Sequence, residues 1–247
     1  MMITIFTIAG SAVYAAEIPV SDQDQLITSR DWIEISNLQD EMKKEEPDAT
    51  IDYDKALKVY VDCNLIKLQT ADTKKLTSAL ESANYVGVIP FKMEKTYGMF
   101  TVAKGLPLSE EAKSVLTKAE QEEVKNHAGK WMITEIAEHT VEPYYDILLE
   151  KREALSDCTR VVLVGSQPGM RQPVALGMDD ETARIWISLG YQYPVMEKIP
   201  ETQNVESGVY SFDSVAEISD TYIEDSEVST GAGVQSRSSM KYVAGIG

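Results

Sequence analysis

Tyr85-Val86-Gly87-Val88-Ile89-Pro90-Phe91-Lys92 and Tyr97-Gly98-Met99-Phe100-Thr101-Val102-Ala103-Lys104, joined by Met93-Glu94-Lys95-Thr96, form the stretch on which the fold turns. Both arms are rich in β-branched and aromatic residues, and the four residues between them, three of them polar, have the length of a hairpin connection. A hairpin cannot bury its apolar face alone, so the rest of the chain must supply a partner layer.

That layer is visible on both sides. Over 28–46, Trp32, Ile35, Leu38 and Met42 recur at helical spacing ahead of Pro47. Residues 56–68 alternate Leu57, Val59 and Val61 with polar neighbours and suit a strand, and 76–81 suit a short helix. Downstream, 109–126 read as a surface helix with Ser109 as its cap and Glu110 and Glu111 in the first turn, where acids complement the helix dipole. A strand at 130–136 and a helix at 141–155, with Pro143 in its first turn, come next. The run 160–165 is apolar from Val161 onward, which marks a strand central in its sheet. Pro168, Gly169 and Pro173 make 167–173 a loop, followed by strands at 174–178 and 183–191.

Together these elements predict an α+β fold, a mainly antiparallel sheet with helices packed on one face. Ala79, Leu80, Val86, Val88 and Ile89 stand 75 positions before Ala154, Leu155, Val161, Leu163 and Val164, which allows two related α-β-hairpin units, 50–129 and 130–199, or a chance resemblance.

At the start, residues 1–16 carry no charge, and Ile3, Ile5, Phe6 and Ile8 lead into Val13-Tyr14-Ala15-Ala16, the shape of a secretory signal peptide cut after Ala15. The stretch is shorter than the ~20 residues of a membrane span, so no stable membrane insertion is expected once it is removed. The first basic residue is Arg30, so the usual basic n-region is missing, and a buried N-terminal element is the competing reading. At the other end, 200–247 hold nine serines, five glycines and eight acids, and are expected to form a partly disordered tail. Within it Val209, Phe212, Val215 and Ile218 are positioned to dock on the globular domain 17–199.

The chain has 247 residues, 43% hydrophobic and 26% charged, enough for a packed core. Its formal net charge of −17 repels phosphate backbones and anionic lipid, which excludes nucleic acid as a natural partner. Cys63 and Cys158 are the two cysteines, compatible with one disulfide in an oxidising compartment or with two buried free thiols. Nothing has the paired thiolate spacing of a zinc site, so no metal or other cofactor is implied.

Candidate chemistry centres on the few residues able to carry it. His127 and His139 are the only imidazoles, and Glu135-Ile136-Ala137-Glu138-His139 approaches an inverted zinc-protease pattern with glutamate at its first position. Gly165-Ser166-Gln167-Pro168-Gly169 superficially matches a nucleophile elbow, displaced by one residue and broken by prolines. His139, Glu138 and Ser166 are therefore the candidate catalytic residues, with Glu135 beside them. Tyr191 and Tyr193 are the candidate binding residues, since rigid aromatic rings bind at small entropic cost, and alternation sets Trp186 on the opposite strand face. The expectation is a secreted or extracytoplasmic, non-enzymatic protein that binds an extracellular or cell-envelope ligand. The alternative is an extracytoplasmic hydrolase using His139 with nearby carboxylates or Ser166.

Overall fold

The computed structural model describes residues 18–226 apart from 140, 166, 171 and 192. The predicted leader 1–16, Ser166 and the end of the tail, 227–247, lie outside the described residues.

Helices α1 (Trp32–Ile35) and α2 (Gln39–Glu45) are joined by a 3-10 turn, Ser36–Leu38. Then come β1 (Thr50–Ile51), β2 (Leu57–Tyr60), α3 (Thr73–Ser82), β3 (Tyr85–Lys92) and β4 (Tyr97–Lys104). Next are α4 (Glu110–Val115), α5 (Lys118–His127), β5 (Trp131–His139), α6 (Tyr144–Glu150) and β6 (Arg160–Val164). The chain continues through β7 (Val174–Met178), β8 (Ala183–Ser188), β9 (Asn204–Glu206), β10 (Val209–Ser211) and α7 (Phe212–Ser226). The strands make one ten-stranded sheet in the order β5-β4-β3-β2-β6-β7-β8-β10-β9, with β1 added to β3. Every pairing is antiparallel except β2 with β6. The fold is α+β with a mainly antiparallel sheet, and the hairpin occupies the residues its sequence indicates.

Helices cover both faces rather than one. Along β6, Val162 and Val164 join the cluster of Leu76 and Leu80 from α3 and Phe212 and Val215 from α7. Val161 and Leu163 join the cluster of Tyr144, Ile147 and Leu148 from α6. Successive strand residues point to opposite faces, so α3 and α7 lie on one side and α6 on the other. The first face continues over β3 and β4, where Ile35 and Met42 cover Ile89, Phe91, Phe100 and Val102. Gly98 stands opposite Phe91 in the ladder, and a Cβ there would overlap the Phe91 ring. The meanders β3–β4–β5 and β6–β7–β8 flank β2, but the helices that precede them, α3 and α6, fall on opposite faces.

Where β2 and β6 diverge, the N-terminal segment fills the gap. Lys58 N donates to Asp24 O, Leu26 N to Ala56 O, and Val161 N to Pro19 O. Inside this wedge Arg160 Nε and Nη2 donate to Asp24 Oδ2 and Oδ1, each at 2.8 Å. Tyr60 Oη donates to Asp24 Oδ1 at 2.9 Å, and Ser21 Oγ to Oδ2 at 2.5 Å. Asp24 is 2% exposed and Arg160 9%, a buried and fully bonded pair. A second buried polar clamp is Gln167. It accepts from Leu65 N at 3.0 Å and donates to Cys63 O at 2.6 Å and Gly165 O at 2.9 Å, fastening the loop after β2 to the loop after β6.

Four elements differ in extent from the sequence reading. The 109–126 helix breaks at Leu116, whose backbone is extended, because Thr117 opens a new helix with a complete capping box to Glu120. The 141–155 helix ends at Glu150, and the 28–46 helix is interrupted by its 3-10 turn. β5 runs on to His139, three residues beyond the expected end, because the β4 ladder supplies partners as far as Tyr97. Residues 204–226 belong to the fold: β10 pairs with β8, and Val209, Phe212, Val215 and Ile218 all pack into the core.

Candidate functional site

His139 ends β5 opposite Tyr97. Its Nδ1 lies 2.7 Å from Val141 O, and a carbonyl only accepts, so Nδ1 carries the hydrogen and the neutral ring keeps its lone pair on Nε2. Nε2 is buried and has no hydrogen-bond partner among the described residues. The Tyr144 hydroxyl, at the start of α6, is likewise buried with no well-formed hydrogen bond among the described residues, its nearest phenol being Tyr191, and the residue is 4% exposed. Burial, and after it the neighbouring Tyr191 phenol, holds Tyr144 far above the usual phenol range. Tyr191 meets the Tyr144 ring edge-on with centroids 6.4 Å apart.

His139 and Tyr144 line one cleft, floored by Leu57, Val88, Pro90 and Met99. It offers about 10 Å³ to a water-sized group, enough for about one water. At its lip Lys55 Nζ reaches Asp146 Oδ1 at 2.8 Å and Oδ2 at 3.0 Å, and this bond is the main reason the Lys55 pKa is raised. The sequence places Tyr144 on the inward side of its helix, but nothing in it signals that the hydroxyl would lack a partner.

The candidate catalytic residues do not gather here. Glu135 and Glu138 both sit on β5 rather than in a turn. Glu138 projects to the face opposite its neighbour His139, beside Glu46. Glu135 shares the His139 face but lies four residues back, about 13 Å along a strand, too far for a hydrogen bond. His127, exposed at the end of α5, is at the far end of β5 from His139. Ser166 lies outside the described residues. Among the described residues no three His, Cys, Asp or Glu side chains are grouped to hold a metal ion.

The remaining candidates are core residues. Tyr193 is 2% exposed, with its hydroxyl donating to Pro173 O at 2.6 Å, so it presents no ring face to a ligand. Trp186 is fully buried and stacked on Phe212, with centroids 5.7 Å apart. Tyr191 is half-buried against both core clusters. Cys63 and Cys158 are free, buried thiols in clusters on opposite faces of the sheet, not a disulfide. Burial, reinforced by Asp62 and Asp179 respectively, pushes both thiols up to about 11, which suppresses the reactive thiolate. Among the described residues no helix is long and apolar enough to cross a membrane. Comparison with known proteins finds no matching family model, no matching curated protein and no matching solved structure.

Proposed function

We propose that the chain is an exported, non-enzymatic protein that binds a ligand or partner outside the cytoplasm through the surface of its sheet. The observation that carries this reading is the setting of His139, the better placed of the two imidazoles. One ring nitrogen is committed to Val141 O, and the other is sealed into a largely apolar cleft of about one water's size. In a hydrolase site a carboxylate within hydrogen-bond reach would orient the imidazole, and neither Glu135 nor Glu138 lies within that reach of His139. Export is supported by the leader composition, and a cut after Ala15 would leave all the described residues of the Asp24 wedge in the mature chain.

The alternative, an extracytoplasmic hydrolase, draws on one observation: the unpartnered Nε2 and Tyr144 hydroxyl in a shared cleft. One assay separates the two. Purified protein and its His139→Ala variant are incubated with ester and peptide substrates. The binding reading expects no turnover that depends on His139. Turnover that survives purification and vanishes in the variant would overturn it.

A further inference from the structure

β5 is one edge of the ten-stranded sheet. The opposite edge is β9, three residues long with an irregular register against β10, the kind of short, bent edge that resists further pairing. β5 is nine residues long and pairs with β4 from Trp131 to Ile133 and, after a register shift that leaves Thr134 without a ladder partner, from Glu135 to His139. In an antiparallel ladder alternate residues direct their N–H and C=O groups away from the partner strand, so the outer side of β5 carries a row of such groups. Among the described residues no backbone hydrogen bond joins 131–139 to anything but β4. Near the Trp131 end the edge adjoins the start of α1, where Asp31 accepts from Tyr85 Oη at 2.5 Å and Lys104 Nζ at 3.2 Å.

The other half of the strand is acidic. Glu135 and Glu138 are exposed on opposite faces, and neither has a basic partner among the described residues. Opposite them on β4 stand Thr101 and Gly98, which supply no cation. Glu138 also adds to the acids at the end of α2: after burial, the charges of Glu138, Glu45 and Asp48 push the Glu46 carboxyl upward. The two carboxylates flank this edge, one on each face, and among the described residues no basic side chain pairs with either.

We propose that the outer edge of β5 along its regularly paired stretch, Glu135 to His139, binds an extended segment of a partner polypeptide as an added strand, with Lys or Arg side chains opposite Glu135 and Glu138. Backbone pairing supplies the affinity and the two carboxylates supply the selectivity. The charges argue against a second copy of this chain, because pairing two β5 edges would set these glutamates near one another on chains of net charge −17 each. The inference rests on reading the chain as a binding protein and names its partner class.

The test uses an acetylated, amidated seven-residue peptide of Thr and Val with two Lys residues three positions apart. It is run beside an otherwise identical peptide with alternate amides N-methylated. The full chain and the Glu135→Lys/Glu138→Lys variant are titrated by calorimetry, and amide exchange is followed on β5. Glu110→Lys/Glu111→Lys, on the exposed α4, controls for net charge. The expected result is saturable binding that slows exchange within 132–139 and is lost on N-methylation. It weakens about tenfold in the β5 variant, since two attractive cross-strand pairs become repulsive, and is little changed in the α4 variant. Binding without protection of β5, indifference to N-methylation, equal weakening by the α4 variant, or no saturation at millimolar peptide would each overturn the edge proposal. So would protection of β5 in the free chain, which would mean that a second copy or residues 1–17 or 227–247 occupy it. Cleavage of the peptide, read by mass, would instead overturn the binding reading itself.

Discussion

Replacing Arg160 by Met removes the cation from the wedge between β2 and β6 while keeping most of the side-chain volume. Asp24, 2% exposed, would retain bonds from Tyr60 Oη and Ser21 Oγ but lose both guanidinium bonds at 2.8 Å. An uncompensated buried charge costs about 3–5 kcal/mol when its partner is removed. For a domain of this size that corresponds to a fall in Tm of about 6–20 °C. Urea unfolding followed by circular dichroism measures the loss directly, and amide exchange should show 18–27 opening before the rest of the sheet. Adding Asp24→Asn to Arg160→Met removes the stranded charge, so the double variant should recover part of the loss, a coupling only contacting residues produce. A loss below about 1 kcal/mol for Arg160→Met would refute the reasoning, because it would mean the pair is solvated in solution and the wedge is not held by charge.

Other expectations follow from the packing. Gly98→Ala drives a methyl group into the Phe91 ring and should cost about 1–3 kcal/mol in chemical denaturation, with a rescue by Phe91→Leu. Gln167→Ala leaves Leu65 N and Cys63 O buried without their partner, and should cost about 1–3 kcal/mol by the same assay. The two thiols set a pH dependence. Their folded value of about 11 lies above the ordinary 9.0, so the folded chain keeps protons that the unfolded chain releases. Their contribution is complete below pH 9 and is lost as pH rises toward 11, and Cys63→Ala/Cys158→Ala should flatten that part of the stability profile. In the native state both thiols should react slowly with a disulfide reagent at neutral pH and promptly once unfolded.

The hairpin was legible because its two strands and its turn are one local pattern. The central place of β6 was legible too, since the four consecutive apolar residues Val161 to Val164 need cover on both faces. The same run held a signal against helices on a single face: Val161 and Leu163 need a cover opposite to that of Val162 and Val164, and α6 provides it. The end of β5 was harder to place. The sequence pattern ends the strand at 136, and only the β4 partner strand carries it on through Glu138 to His139. The Asp24–Arg160 pair joins positions 136 apart and left no local trace. Tyr193 looked like a surface aromatic for a similar reason, as the Pro173 carbonyl that satisfies its hydroxyl is supplied by a loop 20 residues away. At the candidate site, His139 was visible as a rare imidazole. Its commitment to Val141 O depends on how the chain turns after the strand.

The most direct test of the account is the intact mass of the protein recovered from the medium of a secreting bacterial host, before and after alkylation in denaturant without reductant. The account predicts a chain that begins at Ala16 and has taken up two alkyl groups, on Cys63 and Cys158. A retained Met1 in protein confined to the cells would contradict it, because the leader would then be part of the working molecule and a partner outside the cytoplasm could not be met.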